Sequence, residues 1–153
     1  MNVEKRIKEM NLEIREYVNP DWPFTTTVQE GNILFVSGHT PTINGVPQYT
    51  GRVGEEVSLE TAQKAGMLCL ENCLGAIKMA LGDLDRVEKI IKVNGYIASE
   101  VGFAQQAVVM NPISKALNDI FGAKHARAAL GVAMLPSNVP VEVEMIVAVK
   151  QKN

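Results

Sequence analysis

The stretch whose reading decides the fold is His125-Ala126-Arg127-Ala128-Ala129-Leu130-Gly131-Val132-Ala133-Met134-Leu135-Pro136, followed after a Ser-Asn turn by Val139-Pro140-Val141-Glu142-Val143-Glu144-Met145-Ile146-Val147-Ala148-Val149. Both halves read as strands, and strand side chains alternate between faces. In the first, Ala128, Leu130, Val132 and Met134 share one side and Arg127, Ala129, Gly131 and Ala133 the other; the bulky side is expected to face the core. In the second, Val141, Val143, Met145, Val147 and Val149 fall together, opposite Glu142, Glu144, Ile146 and Ala148. The short turn predicts that the two strands pair antiparallel, with Arg127 and Glu142 both leaving the face away from the core. Their register is open, and so is any direct contact between them. Beyond Arg127 its face carries only Ala, Gly and Ala, which lets another surface approach closely and suits a subunit interface.

Upstream, Val3, Ile7, Met10 and Ile14 recur at helical spacing among charges, predicting an amphipathic N-terminal helix over residues 3–16. Asn19-Pro20-Asp21-Trp22-Pro23-Phe24 breaks it. Residues 25–30 and 32–37 read as a hairpin around Gly31, with Ile33-Leu34-Phe35-Val36 expected to be buried on both faces. Asn44-Gly45 marks a turn and Gly51 to Gly54 a loop. Ser58 is the expected N-cap of a long helix whose apolar positions run from Ala62 to Leu81, stopped by Gly82. Residues 87–98 form a β-rich run, and Phe103 to Phe121 a second helix pattern in which Pro112 either marks the start near Asn111 or kinks the helix. Strands interrupted by two long helices predict an α+β two-layer domain, a mixed or antiparallel sheet with both helices on one face. Its uncovered face, carrying small and charged residues, predicts an oligomer. The expected division is an N-terminal helical extension, residues 1–18, and one domain, residues 19–153.

With 153 residues the chain is large enough to bury a core without disulfides. Cys69 and Cys73 lie four apart in an apolar helical pattern and read as buried thiols, and two histidines are too few for an ordinary zinc cluster, so no metal is expected. Fifteen basic and 17 acidic residues are interspersed, giving a net charge of −2 and no basic stripe for a nucleic-acid backbone. The charged N-terminus lacks a signal-peptide core, and no run approaches a membrane span. A cytoplasmic, soluble protein without membrane partners is the expectation.

Leu34-Phe35-Val36-Ser37-Gly38-His39-Thr40-Pro41, Asn72 with Gly82 to Val87, Ala126-Arg127 through Leu135-Pro136, and Val141-Glu142-Val143-Glu144 together resemble the Rid family of YjgF-like reactive-intermediate deaminases. Older labels in that family are endoribonuclease L-PSP and translation inhibitor. The resemblance covers roughly residues 20–150, and His125-Ala126-Arg127 with the N-terminal helix is similar to a branch of longer members. It implies a chorismate-mutase-like (YjgF-like) fold, a homotrimer with clefts between subunits, and hydrolysis of 2-imino acids to 2-keto acids and ammonia without a cofactor. Arg127 would then hold the substrate carboxylate and Glu142 a water, in a cleft lined by the backbone at Gly38 and Ala129. Two positions depart from the pattern. Pro23-Phe24 stands where a Pro-Tyr pair is usual, and Ala129 where many members carry cysteine.

The chemistry suits the residue types. A guanidinium fork matches a carboxylate bidentately, and a glutamate can hold an attacking water and pass protons. Alternatively, Arg127 and Glu142 form an ion pair that only joins subunits. His125 shares the Arg127 face and either touches a ligand or packs; His39, at a strand end, is a further candidate contact, and Trp22 and Phe24 either wall the cleft or pack the N-terminal helix. Glu144 reads as structural. Three functions follow: an imine or enamine deaminase, a trimeric small-carboxylate binding or sensing protein without turnover, and, more weakly, a ribonuclease.

Overall fold

The computed structural model describes residues 2–16 and 21–152. Helix α1 (Val3–Glu9) is followed by strands β1 (Thr27–Glu30) and β2 (Ile33–His39), and by a small hairpin of β3 (Thr42–Ile43) and β4 (Val46–Pro47). Then come α2 (Leu59–Leu81), β5 (Val87–Ala98), α3 (Gln106–Phe121), β6 (Ala126–Val132) and β7 (Val141–Val149). The Ser58 side chain caps α2 by accepting from the Thr61 amide at 3.1 Å, and Gly82, at φ 79°, ends it. The main sheet runs β1-β2-β7-β5-β6, with only β5 and β6 parallel. It is the expected mixed sheet in a two-layer α+β domain, with α2 and α3 on one face.

On β7 alternation does what the sequence says: Val141, Val143, Met145, Val147 and Val149 are all buried under the helices. The Cys69 and Cys73 thiols of α2 donate to the Val141 and Val143 carbonyls, and burial pushes both thiols up, so they stay neutral. Pro112 lies inside α3. It leaves the Val108 carbonyl without its helical partner, and the Gln63 side chain of α2 donates to that oxygen at 2.9 Å.

Several expectations are corrected. The N-terminal helix ends at Glu9, because Asn11 takes φ 56° and turns the chain. Leu12 and Ile14 still pack on the core, but as an extended run that crosses α2 at Gly75. A Cβ there would lie 1.8 Å from the Arg15 carbonyl oxygen, so only glycine lets the two backbones meet. Val3 and Ile7 of α1 belong to the same core as the sheet; the expected boundary at 18/19 falls outside the described residues. Phe35 is 48% exposed, so β2 is buried on one face and not two.

The closing strands do not pair with each other: β5 lies between them. The loop through Ser137 and Asn138, both at positive φ, carries the chain across the end of β5. Nor do Arg127 and Glu142 share a face. Arg127 stands opposite Val93, which stands opposite Met145, and both of those are buried beneath the helices. Leu130 stands opposite Tyr96, which stands opposite Glu142, on the open face. The inward side of β6 is therefore the small one, with Ala129 packed on the core, whereas Leu130 is 50% exposed.

Candidate functional site

Glu142 is placed by a bulge. Between Val36 and His39 the register of β2 against β7 slips, which inserts one extra residue beside Glu144 and Glu142. Gly38 occupies the slip, and a Cβ there would sit 2.5 Å from Glu142 Oε1. Any side chain at position 38 would displace the carboxylate. The preceding segment is pinned to the same place, since the Ser37 amide donates to the Thr26 carbonyl at 2.9 Å and the Ser37 hydroxyl to the Thr25 carbonyl at 2.7 Å. That hangs Trp22 and Phe24 over Gly38 as a stacked pair, ring centroids 5.1 Å apart.

The result is a cavity of about 340 Å³ lined by Trp22, Phe24, Thr26, Gly38, His39 and Glu142, among others. Among the described residues no lysine or arginine lines it. Burial, reinforced by the neighbouring Glu144 charge, raises the Glu142 carboxyl above the ordinary glutamate range. His39 is buried, its Nδ1 2.6 Å from the Ser37 carbonyl oxygen, and desolvation lowers its pKa despite that bond. Glu144 is held differently. Tyr96 and Asn94 both donate to its Oε1, and the bond to Glu144, with desolvation next, pushes the Tyr96 phenol up to about 12.

Arg127 and His125 lie at the β6 edge on the helix side, away from this cavity. They share a face, as alternation requires, and both meet Ser114 of α3. Arg127 Nη1 donates to Ser114 Oγ at 3.2 Å and to Asn111 Oδ1 at 3.0 Å; His125 Nε2 is 2.9 Å from the same hydroxyl. Desolvation, then the Arg127 charge, lowers the His125 pKa. Among the described residues no carboxylate pairs with Arg127. One protomer thus brings together Glu142, Gly38, His39 and Phe24, and separately Arg127 and His125; Ala129 joins neither group and packs inward. Asn111, Ser114 and Tyr96 are not among the residues that the sequence singles out. Tyr96 is reachable from sequence by alternation along β5, but Asn111 and Ser114 carry no signal there beyond ordinary helix polarity.

A larger hollow of about 710 Å³ lies beside α2 and the small hairpin, lined by Arg15, Tyr49, Lys64, Met67 and Glu71 among others. Its arginine is already neutralised by Glu71, so size does not make it the better candidate. Among the described residues there is no group of three His, Cys, Asp or Glu side chains placed to hold a metal, and no helix long and apolar enough to cross a membrane.

A sheet of this order with helices on one face, and a bulge that sets a glycine against a glutamate, define a small two-layer domain with an acid on its open side that no described residue pairs. The family described as endoribonuclease L-PSP matches residues 8–149. The chain belongs to it, the family of the YjgF and RidA proteins. Protein TCP17 of Trypanosoma cruzi is 31% identical over 148 residues, covering 95% of this chain and 92% of that one. Among solved structures, Atu1372 of Agrobacterium tumefaciens, whose function is unknown, is 37% identical with a TM-score of 0.90, covering 98% of this chain and 94% of the other. Escherichia coli TdcF with bound serine is 27% identical with a TM-score of 0.57, covering 91% and 94%.

Proposed function

We propose that this protein hydrolyses small 2-imino acids, or the enamines that tautomerise to them, to 2-keto acids and ammonia, at clefts built between copies of the chain in a homotrimer. The observation that carries this reading is a pair of unsatisfied, opposite charges on separate surfaces. Glu142 sits in a cavity without a cation, and Arg127 sits at a sheet edge without an anion. A second copy that brings its Arg127 edge to the Glu142 cavity would complete both.

In that cleft the Arg127 fork binds the substrate carboxylate and fixes the imine carbon over the carboxylate of Glu142. Glu142 takes a proton from a water as its oxygen bonds to the imine carbon. That proton passes to the imine nitrogen to give a carbinolamine; Glu142 then takes the hydroxyl proton and delivers it to the amine as the C–N bond breaks, so ammonia leaves as the carbonyl forms. Water is the only co-reactant. Membership of the YjgF/RidA family supports a deaminase-like or small-molecule-binding role, and the serine held by TdcF supports an amino-acid-like ligand. A ribonuclease is poorly served, because the Glu142 cavity offers a carboxylate and no Lys or Arg to a phosphate backbone.

The test generates 2-aminoacrylate or 2-iminobutanoate in situ and follows keto-acid release. Wild type should accelerate it, and Arg127→Ala should cost roughly 10–100-fold in kcat/KM through loss of the charge-assisted contact. No acceleration with several imino acids sinks the deaminase reading. Capture of small carboxylates without turnover is the second reading, favoured by Phe24, which has no proton to give; it predicts binding of keto acids with no such acceleration.

The open sheet face supports assembly, since Val28, Phe35, Leu130 and Met134 are all exposed there or at its rim. Wild type should sediment as a trimer at micromolar concentration, and Phe35→Asp should shift it toward monomer. A monomeric wild type would remove the composite cleft.

A further inference from the structure

Arg15 pairs with Glu71 and Glu13, and Arg52 with Glu55, whereas Arg86 is tied to the Leu81 backbone carbonyl at a helix end. Arg127 is held otherwise. Its two protein contacts, Asn111 Oδ1 and Ser114 Oγ, are both neutral, and both are made by the same nitrogen, Nη1. A guanidinium has five N–H donors. The Nε and Nη2 edge makes no hydrogen bond to the described residues, and this is the edge geometrically suited to two parallel bonds with a carboxylate.

The Ser114 hydroxyl is itself oriented. Arg127 can only donate, so Ser114 Oγ accepts from it and its own hydrogen is free to go to His125 Nε2, 2.9 Å away. His125 meets that hydroxyl either as acceptor of its hydrogen (Nδ1–H tautomer) or as donor to its second lone pair (Nε2–H tautomer), and in both cases its buried Nδ1 has no partner among the described residues. Asn111 and Ser114 lie three apart on α3, on neighbouring turns of one helix face. Pro112 between them is accommodated by the Gln63 bond to Val108 described above.

We infer that Asn111 and Ser114 are positioning residues that clamp Arg127 through uncharged acceptors, so that its orientation is fixed while its charge and its Nε/Nη2 edge are left for a monocarboxylate ligand. This rests on the assignment of Arg127 as the carboxylate anchor. A carboxylate in place of Asn111 would clamp the arginine equally well and spend its charge, which is why the neutrality of the clamp matters more than its presence.

The experiment is an NMR titration of 2-oxobutanoate, the stable product class of the proposed reaction, into full-length wild type, Arg127→Ala, Asn111→Asp, Ser114→Ala and Ser114→Thr. Thermal melts check each fold. Wild type should bind, and Arg127→Ala should not. Asn111→Asp, nearly isosteric and still an acceptor, should bind at least about tenfold more weakly with an unchanged or higher melting temperature. A purely structural role would leave affinity untouched by that change. Ser114→Ala should weaken binding about three- to tenfold, and Ser114→Thr should restore it. In the imine assay the loss in Ser114→Ala should appear in KM with kcat retained. If Arg127→Ala abolishes binding but Asn111→Asp and Ser114→Ala bind like wild type, the clamp is wrong and the anchor stands. If wild type binds no 2-oxo acid, the anchor falls and the clamp with it.

Discussion

Glu142→Gln should lower imine hydrolysis by about 10²–10⁴-fold, the usual worth of a positioned general base, and should melt no lower than wild type near pH 7. Both halves follow from the position of the carboxyl. Gln keeps the size and one acceptor, so the contact with Gly38 survives, but it cannot take the proton of the attacking water. On stability, the folded pKa of Glu142 is raised, by burial first and the Glu144 charge second. The folded state therefore holds the Glu142 proton more tightly than the unfolded chain does. That contribution is fully present below the unfolded pKa and is lost as pH rises through the raised folded value. Near neutral pH the ionised Glu142 is a cost that Gln does not carry. Melts at fixed protein concentration should show Glu142→Gln at or above wild type near pH 7, with the difference vanishing near pH 4, where both side chains are neutral. The acid limb of the wild-type pH–rate profile should lie above the ordinary carboxylate range for the same reason. Near-wild-type turnover by Glu142→Gln would remove it from the chemistry.

The cost of ionising a partly buried Glu142 fits the proposed role, since active sites commonly give up stability for reactivity. Glu144, one residue pair along the same face, shows the opposite treatment. Its oxygen is satisfied by Tyr96 and Asn94, and it serves the sheet.

Elements with strong local signals were legible from the sequence. Ser58 and Gly82 bracket α2 because capping and C-terminal chemistry are written in adjacent residues, and β5 covers the expected run from Val87 to Ala98. On β7 alternation found the core side because its inward residues are all bulky. On β6 the same rule misled. Alternation says which residues share a face, and size was used to say which face is inside. But α3 packs so close to this edge strand that a Cβ at Gly131 would meet the Gln106 side chain at 2.9 Å. Only small residues fit beneath the helix, and Leu130 is left facing out. The error carried Arg127 to the wrong side of the sheet, and with it the expectation that Arg127 and Glu142 leave the same face. The insertion of β5 between the closing strands was equally hidden, because strand order is a long-range property that the short loop through Pro136 does not encode. The bulge at Gly38 is set by pairing with β7 and has no local mark beyond the glycine itself.

Met110→Ala and Gly95→Ala should each destabilise the protein, and the double variant should recover part of the loss. Met110 is fully buried, and truncating it leaves a cavity between α3 and β5, at a cost of about 2–5 kcal/mol. Gly95 lies opposite it in β5, where an added Cβ would be 2.3 Å from the sulfur and 2.6 Å from the terminal methyl of Met110. Alanine is normally the better strand residue of the two, worth roughly 0.5–1 kcal/mol over glycine. Crowding wins here, because the thioether is flexible but enclosed on every side, and overpacking costs about 1–3 kcal/mol. With Met110 already shortened, the new methyl enters vacated space, so the two changes should couple by roughly 1–3 kcal/mol in urea denaturation. Strict additivity would mean that the helix does not press on β5 at this point. The same pair reaches the site without touching it. Asn111 follows Met110 directly, so Gly95→Ala lifts the turn of α3 that clamps Arg127 and should weaken 2-oxo acid binding, whereas the double variant should bind more nearly as wild type does.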